Sequence, residues 1–187
     1  IGEDPTEGFV KLHPFGSVTV EMCIGETGGA QRHAIQKMVA EVMKVPFDGV
    51  QLVNSDTHGT GYDAGMIGSR GTITMGTCAV RAANDARKKL LKMAAEKLHM
   101  GVDDLDTEDF LVFPKADPQM RLPWIAITGT PEMTITGMGL YQQNFDKPNF
   151  ALYFAEVEVN LETGEAKLLR ALEGTDVGQI IDPVNVR

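Results

Sequence analysis

The stretch SVTVEMCIGETGGAQRHAIQKMV, residues 17–39, places a strand, a glycine-rich loop and a helix in immediate succession. Apolar and polar residues alternate in its first part, and the segment 8–24 as a whole predicts a half-buried β-hairpin. After the loop, apolar residues recur at helical spacing from Ile35 to Met43, before a Val-Pro pair ends the pattern. We therefore predict a helix over residues 28–44.

The same succession returns farther along the chain. Residues 49–54 are typical of a strand, residues 55–71 form a glycine-rich segment without periodicity, and the pattern from Thr72 to Leu98 predicts a long helix. A loop of this length inside a compact domain is usually functional. Because each glycine-rich loop leaves a strand and enters a helix, we expect the two helix N-termini to point the same way from one sheet edge.

The rest of the chain completes a predicted α+β fold. Within the irregular stretch 101–147, residues 109–113 and 124–129 are typical of short strands, and residues 134–149 resemble a mobile connection. Residues 150–172 predict a β-hairpin around LETG, with glycine where the turn needs a positive φ. The predicted fold class is α+β: a mixed β-sheet with two main helices, each entered through a glycine-rich loop, plus a C-terminal β-hairpin.

Composition narrows the classes of partner. The chain has 187 residues and a formal net charge of −9, with 26 acidic against 17 basic side chains, which argues against a nucleic-acid surface. A group of cations on the second helix is best explained as a solvated helix face: Arg81, Arg87, Lys88, Lys89, Lys92 and Lys97.

The sequence also predicts the cellular location of the protein and the redox state of its cysteines. No apolar run is long enough for a membrane span, and the N-terminal residues lack a signal pattern, so we expect a cytoplasmic protein. Two cysteines, Cys23 and Cys78, suit reduced, buried thiols better than a disulfide framework, although a bridge between them stays open as the lesser alternative.

The glycine-rich loops predict anion binding. The first turn of a helix has unpaired backbone N–H groups and partial positive charge, which attract anions. Ser69 adds a hydroxyl donor and Arg70 a bidentate cation, while Gly28 and Gly29 let an anion approach the backbone behind Thr27, the predicted N-cap. For one loop, ordinary turn chemistry is the commoner explanation; two such loops favour a ligand with two negative groups, such as a pyrophosphate.

Other kinds of site are not indicated. Neither loop has the spacing of a Walker A or dinucleotide-binding motif, and no serine or cysteine lies in a nucleophile elbow. The four histidines lie far apart in sequence and pair with no cysteine cluster. The residues by themselves therefore predict an anion-binding α+β domain with no catalytic residue and no metal ligand.

Three segments, in this order, resemble the molybdenum-binding subunit of the xanthine dehydrogenase and aldehyde oxidase family: residues 16–41, 56–83 and 150–183. The resemblance implies a molybdenum-containing molybdopterin cofactor, in its simple or cytosine dinucleotide form. It also implies an oxidoreductase that hydroxylates a carbon centre with water as the oxygen source. Electrons would pass to iron–sulfur clusters and FAD on partner domains or subunits of the same enzyme.

Site residues follow from the same resemblance. Residues 26–30 match a family loop that contacts the pterin, and residues 69–72 match a second loop that holds the phosphate end. Gly29 and Ala30 depart from the family's glutamine and glycine, which implies that a side-chain hydrogen bond to the cofactor is lost. The cofactor-binding residues that the resemblance implies are Gly28, Gly29, Gly68, Ser69, Arg70 and Thr72.

The resemblance also implies a domain organisation. The chain, 1–187, would be a fragment of a molybdopterin-binding domain, with a first cofactor-loop half at 8–100, an irregular connection at 101–147, and a β-hairpin with the chain continuation at 148–187. Such a fragment would not catalyse alone. A non-catalytic assembly module derived from the same fold remains the alternative, favoured by the altered first loop and opposed by the GSRGT run.

Overall fold

The computed structural model describes residues 4–54, 58–144 and 149–185. Among these residues the chain divides into two compact units, one comprising 4–144 with 181–185 and the other 149–180.

The first unit contains seven strands and three α-helices within its described residues. The strands are β1 Thr6–His13, β2 Ser17–Met22, β3 Val50–Asn54, β4 Leu105–Glu108, β5 Leu111–Pro114, β6 Leu122–Pro123 and β7 Ile135–Tyr141. The helices are α1 Gln31–Met43, α2 Gly76–Leu98 and α3 Trp124–Thr128. A single π-helical turn, Gly71–Met75, leads directly into α2, so the predicted long helix is confirmed with a different first turn.

Four of these strands form a mixed sheet in the order β3-β2-β1-β7. The pairs β1–β2 and β1–β7 are antiparallel, and the pair β2–β3 is parallel. A smaller antiparallel sheet has the order β4-β5-β6. The predicted α+β class, with a mixed sheet and two main helices, is confirmed.

The core lies between the larger sheet and the two main helices. Alternation in β2 buries Val18, Val20 and Met22, as the sequence pattern predicted. The buried face of α1 follows the helical period, whereas α2 presents mainly alanines: Cys78, Ala79, Ala82, Ala83, Ala86, Leu90, Leu91, Ala94 and Ala95. Small side chains let a helix approach its neighbours closely, so α2 can pass near the sheet backbone.

Strand β7 is the main departure from prediction, because the sequence indicated a mobile connection over 134–149. Residues 145–148 of that stretch lie outside the described residues, but Ile135–Tyr141 is a regular strand paired with β1. Its glycines are packing sites: a Cβ on Gly139 would lie 2.0 Å from the carbonyl oxygen of Cys78, and one on Gly137 2.1 Å from that of Ala82. Glycine is required here by the close approach of strand and helix.

Helix α3 is a second correction, since residues 124–129 were predicted to be a strand. Pro123 precedes the helix with φ −66°, and Gly129, with φ 78°, ends it and donates its N–H to the Ile125 carbonyl at 2.9 Å. Trp124 is buried, and its indole nitrogen donates to Thr107 at 3.2 Å. Burial of this one aromatic residue outweighs the β-propensity of a five-residue segment.

The second unit is the predicted C-terminal hairpin. Strands β8 Phe150–Val159 and β9 Ala166–Asp176 pair antiparallel, with a register shift between Glu156 and Val157. Gly164 in the turn has φ 74°, which confirms the predicted need for glycine. All residues of both strands are exposed.

Candidate functional site

The parallel pairing of β2 and β3 brings the two glycine-rich loops to one edge of the sheet. Met22 and Asn54 are the last partners of this pair, and the Asn54 side chain accepts a hydrogen bond from the Ile24 N–H at 2.8 Å. Residues 25–30, the first loop, start at this edge, and residues 63–72, the second loop, return to the start of α1. A Cβ on Gly71 would lie 3.0 Å from the Cγ of Gln31, so the two helix entrances lie side by side.

The first loop is exposed but its helix entrance is already occupied by a protein carboxylate. Glu26 accepts hydrogen bonds from the backbone N–H groups of Gly28 at 3.2 Å, Ala30 at 3.0 Å and Arg32 at 3.4 Å. The prediction that Thr27 caps α1 is wrong. The N-cap is Ala30, in the left-handed conformation with φ 53°. The oxygens that accept hydrogen bonds from the Ala30 and Arg32 N–H groups belong to Glu26, the residue before Thr27.

This carboxylate changes what the first loop can do. An anion at the entrance of α1 would compete with Glu26 for the same N–H donors and would meet its negative charge. Gly28 has φ 91° and open space around its missing side chain, so the loop can still approach a flat, uncharged group. The first loop therefore suits a neutral part of a ligand better than a phosphate.

The second loop is fixed by a buried network centred on Asp63 and Arg70. Both side chains are fully buried, with 3.7 Å between Arg70 Nη2 and Asp63 Oδ2. The same Nη2 donates to Thr6 Oγ1 at 2.7 Å and to the Asp4 carbonyl at 2.8 Å. Asp63 accepts from Thr6 Oγ1 and from the Gly65 N–H, each at 2.6 Å. The loop is thereby tied to the start of β1.

This network gives Arg70 partners other than the phosphate that the sequence predicted. Its guanidinium faces inward onto carbonyl and hydroxyl oxygens and a carboxylate, and its side chain is 0% exposed. Only Nε has no hydrogen-bond partner among the described residues. Arg70 is built into the fold as an internal clamp, and sequence alone gave no sign of its direction.

The outer rim of the second loop remains open. Gly68, Ser69 and Thr72 are exposed, and within the described ranges no hydrogen bond engages their backbone N–H groups. Ser69 has φ 56°, an uncommon conformation for a residue with a side chain. The left-handed turn at Ser69, just ahead of the π-helical turn, leaves free donors beside a helix entrance. This rim can bind an oxyanion through backbone N–H groups and two hydroxyls.

Two side chains that the sequence analysis did not single out lie between the loops. The Met66 side chain is in contact with the positions of Gly25 and Gly71, where a Cβ would come within 2.9 and 2.6 Å of it. Gln31, the first residue of α1, runs past Gly71, and its amide lies over Gly29. Its Oε1 is buried and has no hydrogen-bond partner among the residues described. A polar residue two positions after a glycine pair was the one available signal.

Helix α1 is also held by Asp182, near the end of the chain. Asp182 accepts a hydrogen bond from Lys37 Nζ at 2.7 Å, from Asn185 Nδ2 at 2.7 Å, and from His33 Nδ1. The bonds from Lys37, Asn185 and His33 lower the pKa of Asp182 below its ordinary value. Residues 181–185 are thus tied to the helix that the first loop enters.

The free thiols and the basic residues of α2 are parts of the scaffold. Cys23 and Cys78 form no disulfide, and Cys78 is buried whereas Cys23 is half-buried. Burial, together with the carboxylates of Asp63 and Glu7, raises the pKa of Cys78 to about 12. On α2, Arg87 pairs with Asp106 at 2.5 Å and Lys89 with Asp85 at 2.7 Å. No helix in the described part of the chain is long and apolar enough to cross a membrane.

The sequence is similar to parts of two longer proteins. The chain is 28% identical over 184 residues to the carbon monoxide dehydrogenase large chain of Afipia carboxidovorans, which covers 94% of this chain and 23% of that protein. It is 29% identical over 184 residues to a probable hypoxanthine oxidase of Escherichia coli, covering 96% and 19% of the two chains. The chain therefore spans about a quarter or less of the length of these relatives.

One solved structure has the same fold, and one family of domains matches nearly the whole chain. The fold matches quinoline 2-oxidoreductase from Pseudomonas putida with a TM-score of 0.83 at 24% identity, over 97% of this chain and 24% of that one. The profile of the molybdopterin cofactor-binding domain matches residues 2–187. The chain therefore belongs to the family of molybdopterin cofactor-binding domains found in the xanthine dehydrogenase and aldehyde oxidoreductase type of molybdenum enzyme.

Proposed function

We propose that the chain is part of the cofactor-binding region of a molybdenum hydroxylase and binds the phosphate end of the molybdopterin through its second loop. The observation that carries the proposal is the exposed rim of that loop, where Gly68, Ser69 and Thr72 offer backbone N–H groups and two hydroxyls. Donors of this kind, next to a helix entrance, are suited to a phosphate.

The residues of the proposed site divide into contacts and a clamp. Gly68, Ser69 and Thr72 would contact the phosphate. Gly28, which has open space around its missing side chain, would let the flat pterin approach the first loop, and Gly29 leaves room for the Gln31 amide. Arg70 would act through the loop, because its guanidinium is committed to Asp63, Thr6 and backbone carbonyls. In this assignment Arg70 positions the donors and does not itself bind the phosphate.

Further properties of the whole enzyme are part of the proposal. When bound, the cofactor would supply the oxidation that hydroxylates a carbon centre, with water as the oxygen source. We propose a cytoplasmic enzyme in which iron–sulfur and flavin subunits or domains, together with the remainder of the molybdenum subunit, are the partners. The cofactor would be molybdopterin with molybdenum, in its simple or cytosine dinucleotide form. The present chain would bind and orient the cofactor and would be inactive alone, with no catalytic residue of its own.

One observation favours the alternative, a non-catalytic assembly module. Glu26 takes the backbone N–H groups of Gly28 and Ala30 with its own carboxylate, so a bound anion would have to compete with it there. The two functions differ in a single measurable quantity, which is the amount of metal that the protein carries.

The test is molybdenum per chain, by elemental mass spectrometry, on the intact protein recovered from its native host. The proposal expects close to one molybdenum atom and one pterin per chain. A folded, intact protein with neither would overturn it in favour of the assembly module. Replacing Ser69 with alanine in the same protein should lower occupancy while the fold is kept, because only an exposed side chain is removed.

A further inference from the structure

Gln31 has a buried polar atom that the fold itself does not satisfy. Its amide oxygen Oε1 is buried with no hydrogen-bond partner in the described part of the chain. A buried carbonyl oxygen without a donor is costly, so such groups are rare and call for an explanation. By contrast Gln36, on the same helix, donates from Nε2 to the Val50 carbonyl at 2.9 Å, as a structural amide does.

The position of Gln31 is the second observation. Its stem passes Gly71 of the second loop, where a Cβ would lie 3.0 Å from Gln31 Cγ. Its amide covers Gly29 of the first loop, where a Cβ would lie 2.3 Å from Nε2 and 3.1 Å from Oε1. The side chain therefore bridges the two loops that form the candidate site, and the amide fills the space that a side chain at residue 29 would enter.

We infer that Gln31 is a further binding residue of this site and that its amide oxygen accepts a hydrogen bond from an N–H group of the bound heterocycle. The inference rests on the proposed function, since it assigns Gln31 to the same ligand. The chemistry required is a flat nitrogen heterocycle with an N–H donor on the edge that meets the Gln31 amide. A pterin has both ring and exocyclic N–H donors. The phosphate end would lie on the second loop, on the other side of the Gln31 stem.

This assignment changes the expectation for the first loop. The departure at Gly29 implied that an amide contact to the cofactor is lost. Gln31 supplies an amide to the same space from two residues farther along the chain, so the loop keeps a side-chain hydrogen bond for the ligand. Gln31 also connects the first loop, which is occupied by Glu26 at its helix entrance, to Gly71 of the second loop.

The test uses Gln31→Met in the full protein, with Gln36→Met as the matched control. Methionine keeps the length of the side chain and removes the amide. For Gln31→Met we expect the cofactor's dissociation constant to rise about three- to tenfold, the loss of one hydrogen bond. The melting temperature of the cofactor-free form should be unchanged or higher, because an unsatisfied polar group has been removed. For Gln36→Met we expect a lower melting temperature and unchanged retention per folded chain.

Molybdenum and pterin per folded chain, after an identical dilution and filtration series, give the retention. Wild-type protein that carries both, together with a Gln31→Met variant that retains them equally well, would overturn the inference and leave the proposed function standing. A cofactor-free Gln31→Met variant that is clearly less stable than wild type would also overturn it, since Gln31 would then be structural. Wild-type protein without either component would overturn both.

Discussion

The two glycine-rich loops leave neighbouring parallel strands at the same sheet edge and enter helices that lie side by side, yet their helix entrances are used in opposite ways. In the first loop an exposed carboxylate, Glu26, takes the backbone N–H groups. In the second loop a buried cation, Arg70, holds the chain from inside, and the N–H groups on the rim stay open. Similar glycine content therefore does not make two equivalent anion sites, because the charge on the neighbouring side chain decides whether the donors are available.

The largest expected effect is a loss of stability when Arg70, the internal clamp of the second loop, is replaced. Arg70→Ala should lower the stability of the intact protein by about 3 kcal/mol or more, because it leaves the Asp63 carboxylate buried without its cation. Ser69→Ala, one residue away on the exposed rim, should change stability by no more than about 0.5 kcal/mol. Chemical unfolding of the two variants measures the difference. Equal stabilities would show that Arg70 is not an internal clamp.

A smaller effect is expected at the first loop. Glu26→Ala removes the oxygens that cap α1 and should destabilise the protein by about 1 kcal/mol, the usual cost of losing a cap. It should also free the helix entrance, so phosphate added to the buffer should raise the melting temperature of this variant more than that of wild type. A variant that phosphate stabilises no more than wild type would mean that the first loop rejects anions for a reason other than Glu26.

The attachment of α1 to residues 181–185 predicts a pH dependence. The folded pKa of Asp182 lies below the unfolded value of about 3.9, so its stabilisation is present above about pH 4 and is lost as pH falls toward the folded pKa. The difference in unfolding free energy between wild type and Asp182→Asn should therefore be largest at neutral pH and shrink below pH 4. A difference that stays constant from pH 7 to pH 3 would contradict this role for the carboxylate.

The smallest effect changes reactivity and leaves stability alone. Cys23 precedes the first loop and is half-buried, whereas Cys78 in α2 is buried and has a pKa raised to about 12. Since the thiolate is the reactive form, iodoacetamide at pH 8 should label Cys23 at least about tenfold faster than Cys78 in the folded protein. Mass spectrometry of peptides gives both rates, and denaturant provides the control because it should make them similar. Equal rates without denaturant would place Cys78 near solvent.

The predictions that succeeded rest on local periodicity. Alternation in β2, helical spacing in α1 and α2, and the glycine turn at Gly164 each depend on a few neighbouring residues. Those that failed depend on contacts between distant residues. Strand β7 contains glycines because α2 packs closely against its backbone, a contact that the sequence does not show. Helix α3 is helical because Trp124 reaches the core beside Thr107.

The site shows the same division. Sequence could predict that the two helix N-termini point the same way from one sheet edge, because each glycine-rich loop leaves a strand and enters a helix. It could not say that Arg70 points inward, since two of the groups that hold it, the Asp4 carbonyl and the Thr6 hydroxyl, lie 66 and 64 positions earlier in the chain. Gln31 likewise drew no notice, because its contacts with Gly29 and Gly71 exist only once the helix entrances are side by side.

Patterns in the sequence are enough to predict the order of strands and helices, the two glycine-rich loops and the family resemblance, because each depends on neighbouring residues in the chain. The folded structure is needed to know which cation is buried and, among the described residues, which backbone donors stay free and which buried amide oxygen has no partner. Hydrogen-bond satisfaction and burial are sums over all neighbours in space, and those neighbours come from β1, α1 and the second loop together.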